Sequence, residues 1–302
     1  MYENLKQIKF IFLMVTVISV FSGCSENRKN SVSGTILKDD LNSEFVFNKV
    51  PQKVISLAPN ITEMIYALGQ DSNLSANTLY CNYPPEARNK MKVGDLITID
   101  FEKILSIKPD LIFITVEGNI KESYNKLKSL GMKVFVSNPR DFEGIKKTFR
   151  DLGNIFHDTL KAERIIYGWD KQYKYILYEK DKFRPVKGMF MVSTNPIMLA
   201  GKTTFINELM SSAGLQNIAA DSPLNYPMYS REEILRRDPE YILITVEEDS
   251  KLLMKMYPEW KHLSAVRKNQ VKVVDADLFM RPGPRFTHAL VTLFTYLHPQ
   301  GN

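Results

Sequence analysis

A segment of this chain occurs twice. Residues 100–117 align without a gap on residues 230–247. The shared positions are Glu102, Ile104, Leu105, Pro109, Ile112, Ile114, Thr115, Val116 and Glu117, which recur as Glu232, Ile234, Leu235, Pro239, Ile242, Ile244, Thr245, Val246 and Glu247. Each copy predicts a short helix that ends before its proline, since the residue before proline avoids helical geometry, and then a strand. The 302 residues leave room for two domains, so we expect two similar lobes.

The first residues have the pattern of an export signal. Lys6 and Lys9 precede a mostly apolar run over residues 10–21, which is shorter than the roughly 20 residues that a membrane span needs. The run ends in Phe21-Ser-Gly-Cys24, which resembles a bacterial lipobox with Phe where Leu is commoner. We expect residues 1–23 to be a lipoprotein signal peptide, Cys24 to be lipidated and residues 24–33 to be a flexible tether. The alternative for Cys24 is an ordinary thiol.

Charge and cysteine content exclude some classes of protein. The formal net charge is +6, and the basic residues are dispersed rather than clustered, which argues against a nucleic-acid partner. If Cys24 carries lipid, the other cysteine, Cys81, has no partner, so the exported protein has no disulfide and depends on packing.

The secondary-structure pattern divides the rest of the chain into two halves. The predicted strands at 111–116 and 241–246 are apolar on both faces, which is typical of parallel strands covered by helices. Between the halves, residues from Thr159 to about Lys182 have apolar positions at helical spacing and no proline, which predicts one long helix. We expect α/β sheets in an N-terminal lobe at 34–158 and a C-terminal lobe at 185–302, joined by a linking helix at 159–184.

The repeat places acidic residues where a ligand or partner would meet them. Ligands of open α/β sheets bind outside the carboxyl ends of the strands, where Glu117 and Glu247 are expected. Glu102 and Glu232 lie in the first turns of the repeated helices, where a carboxylate also favours the helix dipole. That effect explains either residue alone but not their match across lobes. Matched exposed acids would suit docking onto one two-fold symmetric partner.

Several ordered motifs resemble those of one known family. They are the run from Val54 to Gly69, the segment Tyr80-Cys-Asn-Tyr-Pro-Pro-Glu86, the Lys-Pro-Asp strand start and Arg281-Pro-Gly-Pro-Arg285. Together they resemble the cobalamin and ferric-siderophore substrate-binding proteins of ABC importers, from about residue 35 to the C-terminus. The resemblance implies two Rossmann-like lobes joined by a single rigid helix, with ligand between the lobes. It also implies that Glu102 and Glu232 meet arginines on the transporter.

The resemblance also carries over positions of the ligand pocket. Tyr80, Tyr226, Asp277 and Arg281 match places where cobalamin-binding relatives line the cleft, with aromatic rings against the macrocycle and the polar pair against its amide side chains. The alternatives are rim packing for the two tyrosines and a surface ion pair between Asp277 and Arg281.

Other positions leave the ligand open between a corrinoid, a ferric siderophore and haem. Leu96 and Thr115 stand where cobalamin-binding relatives can have tryptophan, and the Arg281 guanidinium would also suit an anionic siderophore. Asn195 and Met198 follow a strand and are candidate pocket residues, although methionine more often fills gaps in a core.

The sequence favours binding over catalysis. None of the four histidines has acidic or cysteine neighbours at metal-site spacing, so we expect no metal site and no cofactor. The leading hypothesis is a monomeric, exported and lipid-anchored binding protein that delivers its ligand to an ABC permease and its ATPase. The alternatives are a ligand-sensing lipoprotein and a cleft hydrolase with Glu117 as general base.

Overall fold

The computed structural model describes residues 36–245 and 247–299, with the backbone alone for 247–251. The predicted signal peptide, Cys24 and the tether lie outside the described residues. The described chain is mixed α/β, with two separate sheets of parallel strands, as predicted for two lobes.

The N-terminal lobe contains one small hairpin and one parallel sheet. Strands β1 (Ile36–Lys38) and β2 (Glu44–Val46) pair antiparallel. The sheet has the order β5-β4-β3-β6-β7. Its strands are β3 (Val54–Ser56), β4 (Leu74–Asn77), β5 (Met91–Lys92), β6 (Leu111–Thr115) and β7 (Val134–Ser137). The helices of this lobe are α1 (Pro59–Ala67), α2 (Phe101–Ile107), α3 (Lys121–Ser129) and α4 (Phe142–Ile155).

The C-terminal lobe has a second sheet of the order β10-β8-β11-β12, with β9 paired antiparallel to β8. Its strands are β8 (Val186–Thr194), β9 (Ile197–Leu199), β10 (Leu215–Asn217), β11 (Tyr241–Ile244) and β12 (Val271–Val273). The helix α5 (Thr159–Lys180) precedes this lobe. The helices that follow are α6 (Phe205–Ala213), α7 (Arg231–Arg237), α8 (Glu247–Met256), α9 (Ser264–Arg267), α10 (Ala276–Phe279) and α11 (Phe286–Leu297).

The sequence repeat is also a structural repeat. Asp100 caps α2 by accepting a hydrogen bond from the Lys103 amide, and Ser230 caps α7 in the same way through Glu233. Both helices end on a left-handed residue directly before proline, Lys108 with φ 52° and Asp238 with φ 44°. The Glu233 carboxylate, three residues after the cap at Ser230, accepts hydrogen bonds from Arg236 and Arg237.

A continuous apolar core joins the lobes through α5. Phe142 at the start of α4 stacks on Tyr173 of α5 with ring centroids 4.5 Å apart, and on Phe286 of α11 at 5.2 Å. Helix α5 therefore packs against both lobes at once and holds them as one unit.

Candidate functional site

A cleft of about 470 Å³ lies between the two lobes at the carboxyl ends of the parallel strands. Its volume falls within the range of small-molecule sites. The N-terminal lobe lines it with residues that follow strands of its sheet, and the C-terminal lobe lines it with one loop and the segment after β12. The lining residues are Pro59, Asn60, Tyr80, Leu96, Thr115, Glu117, Gly118, Asn138, Pro139, Tyr226, Ala276, Asp277, Met280, Arg281 and Pro282.

The N-terminal wall is positioned by the loop after β6. Thr115, the last residue of β6, accepts a hydrogen bond from the Gly118 amide through Oγ1 at 3.2 Å. The Asn119 side chain donates to the carbonyls of Leu57 at 3.1 Å and Leu96 at 3.3 Å. Asn119 therefore fixes the loop that carries Leu96 against the end of β3. Sequence reasoning missed this residue, although it belongs to the segment that follows the repeated strand.

The C-terminal wall depends on β9, which holds the segment that carries Tyr226. Backbone hydrogen bonds join the Leu199 amide to Pro227 at 3.0 Å and the Tyr229 amide to Ile197 at 3.1 Å. Met198, which is half-buried, lies in this strand and forms a backbone bridge with Met228. The strand thereby aims Tyr226 into the cleft.

Two predicted pocket residues are not brought to the cleft. Asn195 is exposed in the turn between β8 and β9, and neither Asn195 nor Met198 is among the described residues that line the cavity. The expectation that both face the ligand came from their place after a strand. The physical reason for the difference is that β8 continues directly into an antiparallel hairpin, which turns back along the sheet instead of opening at its rim.

The two walls approach each other at Glu117 and Tyr226. The Tyr226 hydroxyl donates to Glu117 Oε2 at 3.5 Å, and Arg140 Nη1 lies 3.5 Å from Glu117 Oε1. Burial of the phenol, together with the nearby Glu117 carboxylate, raises the pKa of Tyr226 to about 12. Tyr226 is therefore a neutral hydrogen-bonding group in the cleft at physiological pH.

Arg281 lies at the base of the cleft with its guanidinium already bound by protein groups. Its Nη1 donates to Glu63 Oε1 at 3.0 Å and to Asn82 Oδ1 at 2.9 Å. Its Nη2 donates to the Tyr80 carbonyl at 3.0 Å and to a carboxylate oxygen of Asp277. The predicted pair with Asp277 is present, but the Arg281 side chain is only 11% exposed, so this is not the surface pair considered as an alternative.

A buried carboxylate connects the lobes beneath this site. Glu63 of α1 has a side chain that is 1% exposed, and it also accepts from Arg285 Nε at 2.8 Å and Arg285 Nη2 at 2.7 Å. Burial lowers the pKa of Arg285, but its hydrogen bonds to Glu63 and the attraction between the two charges outweigh burial and leave that pKa raised. Asn60 adds a hydrogen bond to the Pro282 carbonyl at 3.1 Å.

Sequence reasoning missed Glu63 and gave Arg285 no role. A signal was present, since an acid inside the apolar first turns of a helix needs a buried cationic partner, and Arg285 stands in one of the family-like motifs.

Glu102 and Glu232 occupy equivalent positions outside the cleft. Each is exposed in the first turn of its helix, two residues after the N-cap, and neither takes part in an ion pair among the described residues. Glu247 is the first residue of α8, and its side chain lies outside the described residues. The two carboxylates in α2 and α7 are therefore available to a partner.

Some kinds of site are absent from the described part of the chain. Among residues 36–245 and 247–299, with the side chains of 247–251 left aside, no group of His, Cys, Asp and Glu is arranged to hold a metal. Cys81 is a buried free thiol beside the hydroxyls of Thr62 and Thr78. In the same part of the chain, no helix combines the length and the apolar character needed to cross a bilayer.

Comparison with known proteins gives consistent matches. The family described as "Periplasmic binding protein" matches residues 54–278. The Vitamin B12-binding protein of Pectobacterium atrosepticum is 31% identical over 241 residues, which are 78% of this chain and 85% of that protein. An uncharacterized ABC transporter substrate-binding lipoprotein of Bacillus subtilis, YvrC, is 30% identical over 90% of this chain and 88% of its own length. The crystal structure of the periplasmic Vitamin B12 binding protein BtuF of Vibrio cholerae superposes with a TM-score of 0.74 at 30% identity, covering 82% of this chain and 97% of that one.

Proposed function

The chain belongs to the periplasmic binding protein family, and on that premise we propose that it captures a corrinoid between its lobes and delivers it to an ABC importer. The observation that carries the choice of ligand is that the Arg281 guanidinium is already hydrogen-bonded to protein groups. Its two terminal nitrogens, Nη1 and Nη2, already donate to Glu63, Asn82, Asp277 and the Tyr80 carbonyl. An anionic ferric siderophore would have to displace these acceptors from a nearly buried group, which is costly.

The rest of the cleft suits a ligand that is flat, largely apolar and fringed with amides. Tyr80 is 54% exposed at the rim, and Tyr226 is half-buried in the opposite wall, so two rings are available to pack on a macrocycle. Glu117 and Asp277 supply carboxylate oxygens that accept hydrogen bonds from amide N–H groups. Leu96 and Thr115 provide less aromatic surface than tryptophan would, so we expect weaker stacking on the N-terminal side.

Ligand choice is tested with purified protein that lacks the signal peptide. Calorimetric titrations with cyanocobalamin, a ferric catecholate, a ferric hydroxamate and haem are expected to give micromolar or tighter binding for the corrinoid alone. A matched pair of variants then places the ligand: Tyr226→Ala is expected to weaken binding at least about tenfold through lost stacking. Tyr229→Ala, whose ring is paired with Arg237 outside the cleft lining, serves as the control. Preference for a ferric chelate would contradict the assignment.

The proposal includes docking of Glu102 and Glu232 onto a permease with its ATPase. Two exposed carboxylates in equivalent helix turns suit a two-fold symmetric transporter, and such charges set orientation and encounter rate more than affinity. Glu102→Ala combined with Glu232→Ala should leave ligand affinity unchanged and abolish uptake by cells. Glu122→Ala, another exposed acid in a first helix turn, should transport normally. Loss of ligand binding in the double variant would show that these residues act elsewhere.

We further propose that the protein is exported, monomeric and lipid-anchored through Cys24, without a cofactor or enzymatic activity of its own. The lipobox-like motif before Cys24 supports the anchor, and the lipoprotein name of the Bacillus subtilis relative is consistent with it. Metabolic labelling with a clickable fatty acid is expected to mark the protein and to fail for Cys24→Ala. Labelling that survives this substitution would contradict the anchor.

A further inference from the structure

The outer face of the linking helix α5 has an unusual composition. The helix has 22 residues and is therefore about 33 Å long. Its inner face is fixed by packing, because Ala162, Ile166 and Ile176 are buried and Trp169 and Tyr173 pack on the core. The opposite stripe faces water. It consists of Leu160, Arg164, Tyr167, Lys171, Lys174, Tyr175, Tyr178 and, two residues past the helix end, Lys182. We call these eight residues the outer stripe.

The outer stripe combines exposed apolar surface with positive charge. Leu160 is 84% exposed, Tyr178 is 67% exposed, and Tyr167 and Tyr175 are each 61% exposed. At 100° per residue, these side chains fall within about 120° of the helix circumference, and no acidic residue lies between them. The nearest acids, Glu163, Glu179 and Asp181, lie at its margins.

The cations of the stripe are mostly free of acidic partners. In the described part of the chain, Arg164, Lys171 and Lys174 take part in no ion pair, whereas Lys182 pairs with Glu179. Two lysines lie over tyrosine rings of the same stripe, Lys171 over Tyr167 and Lys182 over Tyr178, each 4.7 Å from the ring centroid. The stripe is thus a mixed surface of rings and ammonium groups.

This chemistry matches the surface of an anionic bilayer. Tyrosine rings prefer the headgroup level, where one end is apolar and the other is wet. Lysine and arginine next to them attract anionic lipids, while their aliphatic stems cover apolar surface. A helix with a core-packed inner face and a stripe of this kind can lie in the plane of the interface.

The start of the described chain lies near the N-terminal end of α5. His157, two residues before α5, shares a hydrogen bond with the Phe47 carbonyl at 3.0 Å between Nε2 and the oxygen. Phe47 directly follows β2, whose residue Val46 pairs with Ile36 at the beginning of β1. A chain that enters the fold at Ile36 therefore enters near the N-terminal end of α5.

We propose that the outer stripe of α5 rests on a lipid bilayer with anionic headgroups while the protein is tethered. This proposal rests on the lipid anchor proposed above for bringing the protein to a membrane. The outer stripe belongs to α5 and is separate from the cleft, whose lining includes no residue of this helix. Membrane contact through α5 leaves Tyr80 and Tyr226 open to ligand.

The test uses the chain from Ser25 onward, because residues 35–302 form one compact unit that contains its own apolar cores. Flotation with phosphatidylcholine vesicles that contain 30% phosphatidylglycerol should carry the protein, whereas pure phosphatidylcholine vesicles should not. Replacing Lys171, Lys174 and Lys182 by glutamine is expected to lower the partition coefficient by about 100-fold, because each lysine near an anionic surface raises that coefficient several-fold. The matched control replaces Lys121, Lys126 and Lys128, which are exposed on α3, and should float like the wild type.

Two outcomes overturn the proposal. One is wild-type protein that does not float with the anionic vesicles, and the other is an equal loss of flotation in both triple variants. All six lysines are exposed, so the melting temperatures of both variants should match the wild type and exclude misfolding as the cause. Cobalamin titration of the same samples keeps the two proposals apart: flotation without ligand binding contradicts the proposed function alone, and ligand binding without flotation contradicts the outer stripe alone.

Discussion

Replacing Glu63 by glutamine removes the negative charge that joins the middle of α1 to the segment before α11. The Glu63 side chain is 1% exposed and accepts three hydrogen bonds, one from Arg281 and two from Arg285. Glutamine has nearly the same volume, so packing is retained. The substitution leaves two arginines facing each other without the carboxylate between them, and it places amide hydrogens opposite guanidinium hydrogens.

The expected cost follows from the burial of the three side chains. Removing one partner of a buried ion pair costs about 3–5 kcal/mol, because the remaining charge is left unpaired. The Arg281 and Arg285 side chains are 11% and 15% exposed, so some water reaches them and the lower end of the range applies. A loss of about 3 kcal/mol lowers the melting temperature by about 6–12 °C for a chain of this size.

Differential scanning calorimetry at pH 7 measures this loss directly. The matched control is Glu233→Gln, because Glu233 also binds two arginines, Arg236 and Arg237, but its side chain is 28% exposed. The control should shift the melting temperature by only a small fraction of the Glu63→Gln effect, since water replaces an exposed partner. Equal shifts in the two variants, or no shift in Glu63→Gln, would refute the reasoning that burial gives this contact its strength.

Three further predictions concern pH and backbone geometry. The hydrogen bond from Arg184 lowers the pKa of Glu240 to about 2. The contribution of Glu240 to the free energy of unfolding is therefore complete above about pH 4.5 and is lost as pH falls through about 2. The difference in urea midpoint between the wild type and Glu240→Gln should accordingly be smaller at pH 3 than at pH 6. Glu117→Gln should lower the pKa of Tyr226 from about 12, because a neighbouring negative charge is removed. Ultraviolet difference titration measures this pKa, with Tyr226→Phe as the reference that lacks the phenol. An unchanged pKa would mean that burial alone raises it. Gly94 has φ 101°, and a Cβ at this position would clash with the Thr98 carbonyl oxygen. Gly94→Ala should therefore shift the loop that carries Leu96 and lower both the stability of the fold and the affinity for ligand. Thermal melts and ligand titrations measure these two effects.

Most of the architecture could be predicted from the sequence, because each lobe contains local sequence patterns that indicate its helices and strands. Glu102 and Pro109 recur as Glu232 and Pro239, which predicted two equivalent units of a helix followed by a strand. Apolar residues at uninterrupted helical spacing predicted the long helix that the structure places at Thr159–Lys180. The fold class and the family predicted from these motifs are both confirmed. The predicted domain boundaries remain predictions.

The site was less readable because it depends on contacts between distant segments. Tyr226 is held at the cleft by its neighbours Pro227 and Met228, which pair with β9, and β9 is a strand too short to show a sequence period of its own. Glu63 and Arg281 lie far apart in the sequence, and single-chain patterns do not indicate which buried acid meets which arginine. Five of the seven predicted ligand positions lie together in the cleft, and whether they bind ligand stays a prediction.

The stack of Phe142, Tyr173 and Phe286 has a consequence for how the chain unfolds. Two lobes that each contain a copy of the repeat would melt as two independent domains if each enclosed its own core. Here the three rings belong to α4, α5 and α11, so the lobes share one apolar interior through the linking helix. Opening either lobe exposes part of the other, which couples their melting into one cooperative transition. The amides that exchange slowest with deuterium should accordingly lie around this stack, where the two lobes meet, rather than at the centre of either sheet.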